Sequence, residues 1–448
     1  MSYIPISKKD EKEMLAILGI SSLGGLFRSI PDELKIKHDL SLPGPLSEFE
    51  LGRHMEEMAA RNDFGGFLSF LGGGAYEHFI PAVVDQLGSR NEFVTPYTPY
   101  QPEVSQGTLQ IAFEFQTLIC QLAGLDIANA SLYDGSTGAA EAVLMAQRIN
   151  GRSKVLVSRA VHPQYRQVIS TYIKNVGLQM IEIPYGSDGR TDHQAAAASI
   201  DDDVAAILIQ SPNYFGTVED IASFSDLAHG RSALSIVAVA EGLALGLLEA
   251  PGRLGADVVV GEGQSFGMPV SFGGPYLGFM ASKKEFMRQL PGRVAGETVD
   301  VEGKRGYVLT LATREQHIRR EKATSNICTN QALCAVRAAI YLETLGAKGL
   351  TEMAFQNAQK AAYAADALGA VPGVKRKFAA GVFNEFVLEF PKSWSDVDAA
   401  LKKKGILGGI GLGRDYPELA NCSLICVTEM KTKQDIDKLA LAVHEVLS

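Results

Sequence analysis

Residues 134–158 read DGSTGAAEAVLMAQRINGRSKVLVS. The stretch opens on a glycine-rich turn at 134–138, runs on for a helix length to Asn150, stops at Gly151 and ends on the apolar run 154–158. Small capping residues start helices and glycine closes them. A short Val/Leu run without polar alternation fits a strand covered on both faces. Working outward, the same alternation recurs. Apolar runs lie at 131–133, 154–158, 179–183, 205–209, 235–239, 257–260 and 276–280, with helix-length pieces such as 164–175 between many of them. This predicts the α/β class, with a seven-stranded, mostly parallel sheet covered by helices. The interval 261–275 is too rich in Gly and Pro for a helix, so the last two strands are expected to be antiparallel.

The flanks differ in texture. Residues 1–61 read as a helical arm, with Ser7 capping a first helix and a second around 47–61. Residues 62–330 form the large domain. A long helix then begins near Thr329, and 331–448 read as a smaller α+β domain. Its strands are 382–390 and 423–427, Thr432 with Asp435 caps a last helix, and 405–413, with its glycines, reads as a loop.

Composition narrows the function. Among 448 residues, 42 basic side chains face 51 acidic ones, a net charge of −9 that argues against phosphate-neutralising nucleic-acid binding and polybasic membrane binding. Apolar residues make up 46% and charged residues 21%, an ordinary globular balance. The five cysteines are odd in number and none forms a CxxC pair, so neither a disulfide framework nor a zinc ribbon is expected, and no metal site. The start lacks a secretory pattern and no apolar run reaches about 20 residues, so a reducing, cytoplasmic setting is expected.

The ends of the apolar runs carry the candidate site. At 134–138, unpaired N–H groups and the helix dipole suit a phosphate, with hydroxyls from Ser136 and Thr137. The spacing matches neither GxGxxG nor GxxxxGK[ST], and an ordinary N-cap by Asp134 or Ser136 accounts for the same residues. His162, after the run 154–158, suits a ring stacked on an aromatic cofactor or a plain turn. Glu241, just past 235–239, suits a partner for a protonated ring nitrogen or a solvated loop acid. The stretch GEGQSF at 261–266 places Gln264 in a tight loop, functional or merely structural. Three prolines and two tyrosines in TPYTPYQPEVS, 95–105, make a stiff extended segment suited to an interface or a site rim. The mixed charges of 313–322 fit a solvated helix face or an ion-pair surface.

With residues 95–105, 133–141, 255–278 and 314–331, these features make the chain resemble fold-type-I pyridoxal-phosphate proteins. More narrowly it resembles subunit 1 of the two-subunit glycine dehydrogenases (decarboxylating), the split form of the P-protein of the glycine cleavage system. The resemblance spans essentially the whole chain. In such enzymes a lysine holds the cofactor as a Schiff base, and the resemblance puts its slot close to Gln264. Glutamine cannot form an imine. No lysine occurs between Lys174 and Lys283, and Lys283 and Lys284 fall past the following run and read as surface residues. Glu241 stands where related enzymes carry aspartate.

The resemblance therefore implies a silent subunit with no catalytic residue and no cofactor of its own. Ser136, Thr137, His162, Glu241 and Gln264 would line a vestigial pocket. Pyridoxal phosphate would sit on subunit 2 of an (αβ)₂ assembly that decarboxylates glycine and passes the aminomethyl group to the lipoyl arm of the H-protein. Tyr97, Tyr100 and Gln101 would lie at the rim of the partner's site. Two other readings compete. One is an independent, aminotransferase-like pyridoxal-phosphate enzyme using an unexpected lysine, against which the lysine gap weighs. The other is a non-enzymatic homodimer of the same fold, against which the motif match weighs.

Overall fold

Seven strands build the main sheet: β1 (Ile127–Ala128), β2 (Lys154–Ser158), β3 (Gln179–Ile183), β4 (Val204–Gln210), β5 (Leu234–Val239), β6 (Val258–Glu262) and β7 (Gly278–Ser282). Their order is β1-β7-β6-β5-β4-β2-β3. Strands β2 to β6 run parallel, whereas β7 is antiparallel to both β6 and β1. The computed structural model describes residues 5–325, 327 and 330–448. Asn326, Cys328 and Thr329, which fall in the motif 314–331 and at the expected head of the long helix, lie outside the described residues.

The apolar runs become strands because both sheet faces are covered. Every residue of β4 and β5 is buried. Alternate side chains feed opposite cores, as the pleat requires. Ile207 and Ile209 pack with Phe115, Ile119 and Tyr341, while Ala206 and Leu208 pack with Val143, Met145 and Ile169. Helices Gln106–Ala123 and Ala332–Gly369 thus cover one face, and Gly135–Asn150 and Pro163–Ile173 the other.

The first strand departs from the sequence reading. Residues 131–133 form only an isolated bridge, Leu132 to Gly278, and the edge strand is Ile127–Ala128. Ser131, at φ 149°, interrupts the extended run. A second departure is a hairpin, Val294–Val299 with Arg305–Thr310, whose outer end is exposed and so lacks the apolar signature of the other strands.

The helix Ala332–Gly369 leads to a four-stranded antiparallel sheet of Lys375–Arg376, Glu385–Glu389, Cys422–Cys426 and Ile410–Gly411. Helices Trp394–Lys403 and Lys433–Leu447 pack on it, the latter capped by Thr432 and Asp435. The expected loop 405–413 contains two short strands. Ile406–Leu407 pairs in parallel with Leu68–Ser69, and Ile410–Gly411 with the small sheet.

By contact the chain divides into Met1–Phe64 and Gly65–Ser448. In the first unit, Ser7 with Asp10 caps Lys8–Ile17, and Ser47 with Glu50 caps Glu48–Ala59. None of its described residues is buried.

Candidate functional site

The parallel strands end along one edge, and the loops leaving β2, β5 and β6 meet there with the N-terminus of helix Gly135–Asn150. Open α/β sheets bind ligands at such an edge. The structure gathers His162, Glu241, Gln264 and the 134–137 turn along it, and a fifth element joins them. This is the segment 70–79, Phe-Leu-Gly-Gly-Gly-Ala-Tyr-Glu-His-Phe, which threads between the main sheet and the small one. Its glycines permit the passage. A Cβ on Gly72 would stand 2.6 Å from Cβ of Cys426, and Gly74, at φ 102°, presses on the His162 ring.

At the helix N-terminus, Asp134 Oδ1 accepts from the Thr137 N–H (2.8 Å) and from the Ser136 hydroxyl (2.6 Å). Both hydroxyls turn back on Asp134, since Thr137 Oγ1 donates to its carbonyl at 3.0 Å. The Gly135 N–H donates to Oε2 of Glu262 at 3.0 Å, and Oε1 accepts from Gln264 N–H (3.1 Å) and Leu277 N–H (2.8 Å). Burial lifts the Glu262 carboxyl to about 7 despite these donors. The anion site of the helix end is thus served by carboxylates of the chain itself.

His162 uses both ring nitrogens. Nδ1 accepts from Gln164 N–H (3.1 Å), capping helix Pro163–Ile173, and Nε2 donates to the Gly73 carbonyl (2.7 Å). Burial holds its pKa below the usual histidine value, in keeping with a neutral ring. The ring rests edge-on against Tyr214, with centroids 4.8 Å apart.

Glu241 is buried rather than solvated. Its Oε1 accepts from Leu243 N–H (2.9 Å), and its Oε2 meets His78 Nε2 at 3.0 Å and the Asn384 amide at 3.1 Å. The other nitrogen of His78 meets Oε2 of Glu429 at 2.9 Å. Burial opposes charge on this ring, yet Glu241 and Glu429 outweigh it and raise His78 to about 10. Gln264, 1% exposed, is also fully engaged. It accepts from Tyr76 N–H (2.9 Å) and donates to the carbonyls of Tyr76 (3.0 Å) and Met268 (2.6 Å). Tyr76 in turn donates its hydroxyl to Glu385 (2.8 Å). Lys283 pairs with Asp257 at the opposite edge of the sheet, at the start of β6.

Tyr97, Tyr100 and Gln101 are largely exposed. Tyr100 accepts from Arg293 at 3.1 Å, and Gln101 precedes the turn Pro102–Val104. Tyr76, His78, Asn384, Glu385 and Glu429 escaped the sequence reading. The glycine triplet beside Tyr76, Glu77 and His78 was the available signal.

Tested against pyridoxal phosphate, these residues do not fit. The acid that would face a ring nitrogen is paired with His78, the helix N-terminus is paired with Glu262, and the strand-end slot holds an amide bonded on both sides.

Comparison with known proteins decides the lineage. The family model for the glycine cleavage system P-protein matches residues 1–443. The chain belongs to the glycine cleavage system P-protein family. It is 52% identical to a probable glycine dehydrogenase (decarboxylating) subunit 1 of Moorella thermoacetica over 448 residues, covering 100% of both chains. It is 50% identical to the protein of the same description in Brevibacillus brevis, covering 99% of this chain and 98% of that one. Among solved structures, an inhibitor-bound glycine decarboxylase (P-protein) matches with a TM-score of 0.90 and 45% identity over 100% of both chains. A sphingosine-1-phosphate lyase of Burkholderia pseudomallei shares the fold alone, with a TM-score of 0.67 and 16% identity over 93% of each chain. The fold is the type-I pyridoxal-phosphate one, and a cavity of about 500 Å³ lined by Gly73, Gly74, Ser136, His162 and Glu262 lies open at the strand-end edge.

Proposed function

We propose that this chain is the lysine-free subunit of a two-chain glycine decarboxylase of the glycine cleavage system, acting in the cytoplasm with a subunit 2. The complex removes the carboxylate of glycine as CO₂ and hands the aminomethyl group to the lipoyl arm of the H-protein. Pyridoxal phosphate, held by the lysine of subunit 2, supplies the electron sink for that step. This chain contributes the pseudo-symmetric half of an (αβ)₂ assembly and part of the wall around the partner's site, with Tyr97, Tyr100 and Gln101 at the rim.

The observation that carries this reading is Gln264. It occupies the strand-end slot, no lysine lies between Lys174 and Lys283, and its amide is bonded on both sides. Its relatives' description as subunit 1 supports a companion chain. So does the N-terminal unit, which exposes Leu23, Phe27, Leu34 and Phe49 and buries none of its described residues. Apolar area of this kind marks a surface that another chain covers.

Glycine–bicarbonate exchange with purified components tests the proposal. Activity is expected only when this chain and subunit 2 are mixed. Full exchange by subunit 2 alone refutes it. Tyr100→Ala in the mixed complex is expected to lower exchange about tenfold, and an unchanged rate removes Tyr100 from the rim.

A further inference from the structure

We propose that residues 72–78 are a tethered substitute for the cofactor, so that restoring a lysine at position 264 does not restore cofactor binding. The inference rests on the descent of this pocket from a pyridoxal-phosphate site, not on the identity of the partner chain. Three groups of the fold are suited to a cofactor; two already have counterparts in this segment and the third has one in Glu262. Glu241, at the end of β5, faces His78 Nε2 at 3.0 Å. Gly135 N–H, at the helix N-terminus, faces Glu262 Oε2 at 3.0 Å. Gln264, after β6, closes on both backbone groups of Tyr76, at 2.9 and 3.0 Å.

The substitution is chemically matched. Both nitrogens of His78 lie within 3.0 Å of carboxylate oxygens, from Glu241 and Glu429. Burial opposes charge on this ring, but Glu241 and Glu429 raise its pKa to about 10, so both nitrogens donate to carboxylate oxygens as a cation's would. A flat aromatic cation opposite the strand-end acid is what a protonated pyridine ring would also provide. Tyr76, Glu385 and Tyr341 surround this pair, and Asn384 and Asn357 donate to its two acids.

The segment is also fastened from the small-sheet side. Gly73 N–H donates to Glu385 (2.7 Å), Phe79 N–H to Glu429 (2.6 Å), and the Thr428 hydroxyl to the Glu77 carbonyl (2.7 Å). A coenzyme could enter the cavity of about 500 Å³ beside Gly73, Gly74, Ser136 and His162, but to reach Glu241 and position 264 it must displace the bonds that His78 and Tyr76 make there.

The test uses the full-length Gln264→Lys chain, alone and mixed with subunit 2. Each sample is incubated with pyridoxal phosphate, reduced with borohydride and mapped by mass spectrometry. The expected result is no phosphopyridoxyl group on residue 264 above the wild-type background, while subunit 2 in the same mixture is labelled. A stoichiometric adduct on residue 264 overturns the proposal. A second measurement serves if that variant fails to fold. In the wild-type chain labelled with ¹⁵N-histidine, with the His78 signal assigned through His78→Gln, both ring nitrogens are expected to carry protons at about pH 8, above the ordinary histidine pKa. A neutral His78 ring at that pH overturns it equally. Neither readout depends on glycine exchange, so failure here and failure of the two-chain reading are told apart.

Discussion

His78 holds two buried carboxylates, Glu241 and Glu429, together with one imidazole. Removing one member of a buried ionic group leaves uncompensated charge, typically at a cost of about 3–5 kcal/mol. His78→Ala is therefore expected to destabilise the chain by about that amount in urea unfolding, and a loss below about 1 kcal/mol would remove the cation from the account. Gly135 is a second sensitive residue. A Cβ there would land on the Tyr165 hydroxyl, 2.9 Å from its Cζ and 3.0 Å from the Glu262 nitrogen. Gly135→Ala should cost about 1–3 kcal/mol through overpacking, and Tyr165→Phe added to it should recover part of the loss. If the double variant unfolds no later than Gly135→Ala, the hydroxyl is not the obstacle. At this scale, the positions of Gln264, Glu241 and His162 were legible because parallel strands deliver their following loops to one edge. Their partners were not. His78 meets Glu241 across 163 residues and Glu429 across 351, and nothing periodic in 70–79 announces such contacts.

Among elements, four of the seven main strands fall where apolar runs place them, give or take a residue, and β6 runs on two residues past its run, because runs buried on both faces need no alternation. The β7 run is offset by two residues, starting at Gly278. The failures have local causes. Ser131 breaks the first run, and the hairpin 294–310 is buried at one end only. The loop after β6 joins two elements through one side chain. Glu262 accepts three backbone N–H groups, from the helix start, its own loop and the approach to β7. Glu262→Ala leaves those donors buried without an acceptor and should cost about 2–4 kcal/mol, read as a shifted denaturation midpoint. The N-terminal element poses the opposite case, with good caps and no core. Deleting residues 1–64 should leave the far-UV signal of the remaining unit intact and weaken assembly with subunit 2 by about tenfold or more in sedimentation. Undiminished assembly would exclude these residues from the interface.

Across the whole molecule, buried acids shape the response to pH. Burial raises Glu219, Glu262 and Glu385 each to about 7. Each therefore holds its proton longer in the folded than in the unfolded chain, whose carboxyls titrate near about 4.3. The folded state binds more protons between those values, so stability falls as pH rises from about 4.5 to about 7. His78 works at the other end. Its pKa is raised to about 10, so its contribution is complete below about 6.5 and is lost as pH climbs through about 10. Melting temperature is expected to be higher near about pH 5.5 than near about pH 8, with a second decline above about pH 9 that His78→Gln abolishes. A flat profile from about 5.5 to 8 would show that the three acids are not held protonated.

The bonded run from Gly73 to Phe79 also bears on how the polypeptide matures. A coenzyme-dependent fold ordinarily stays incomplete until its vitamin arrives, and starvation leaves it open to proteolysis. If residues 72–78 stand in for the coenzyme as proposed, the finishing piece is encoded in the same translation product. On that proposal, nutritional shortage of vitamin B6 should spare the lifetime of this polypeptide in the cell and fall on the chain that carries the coenzyme.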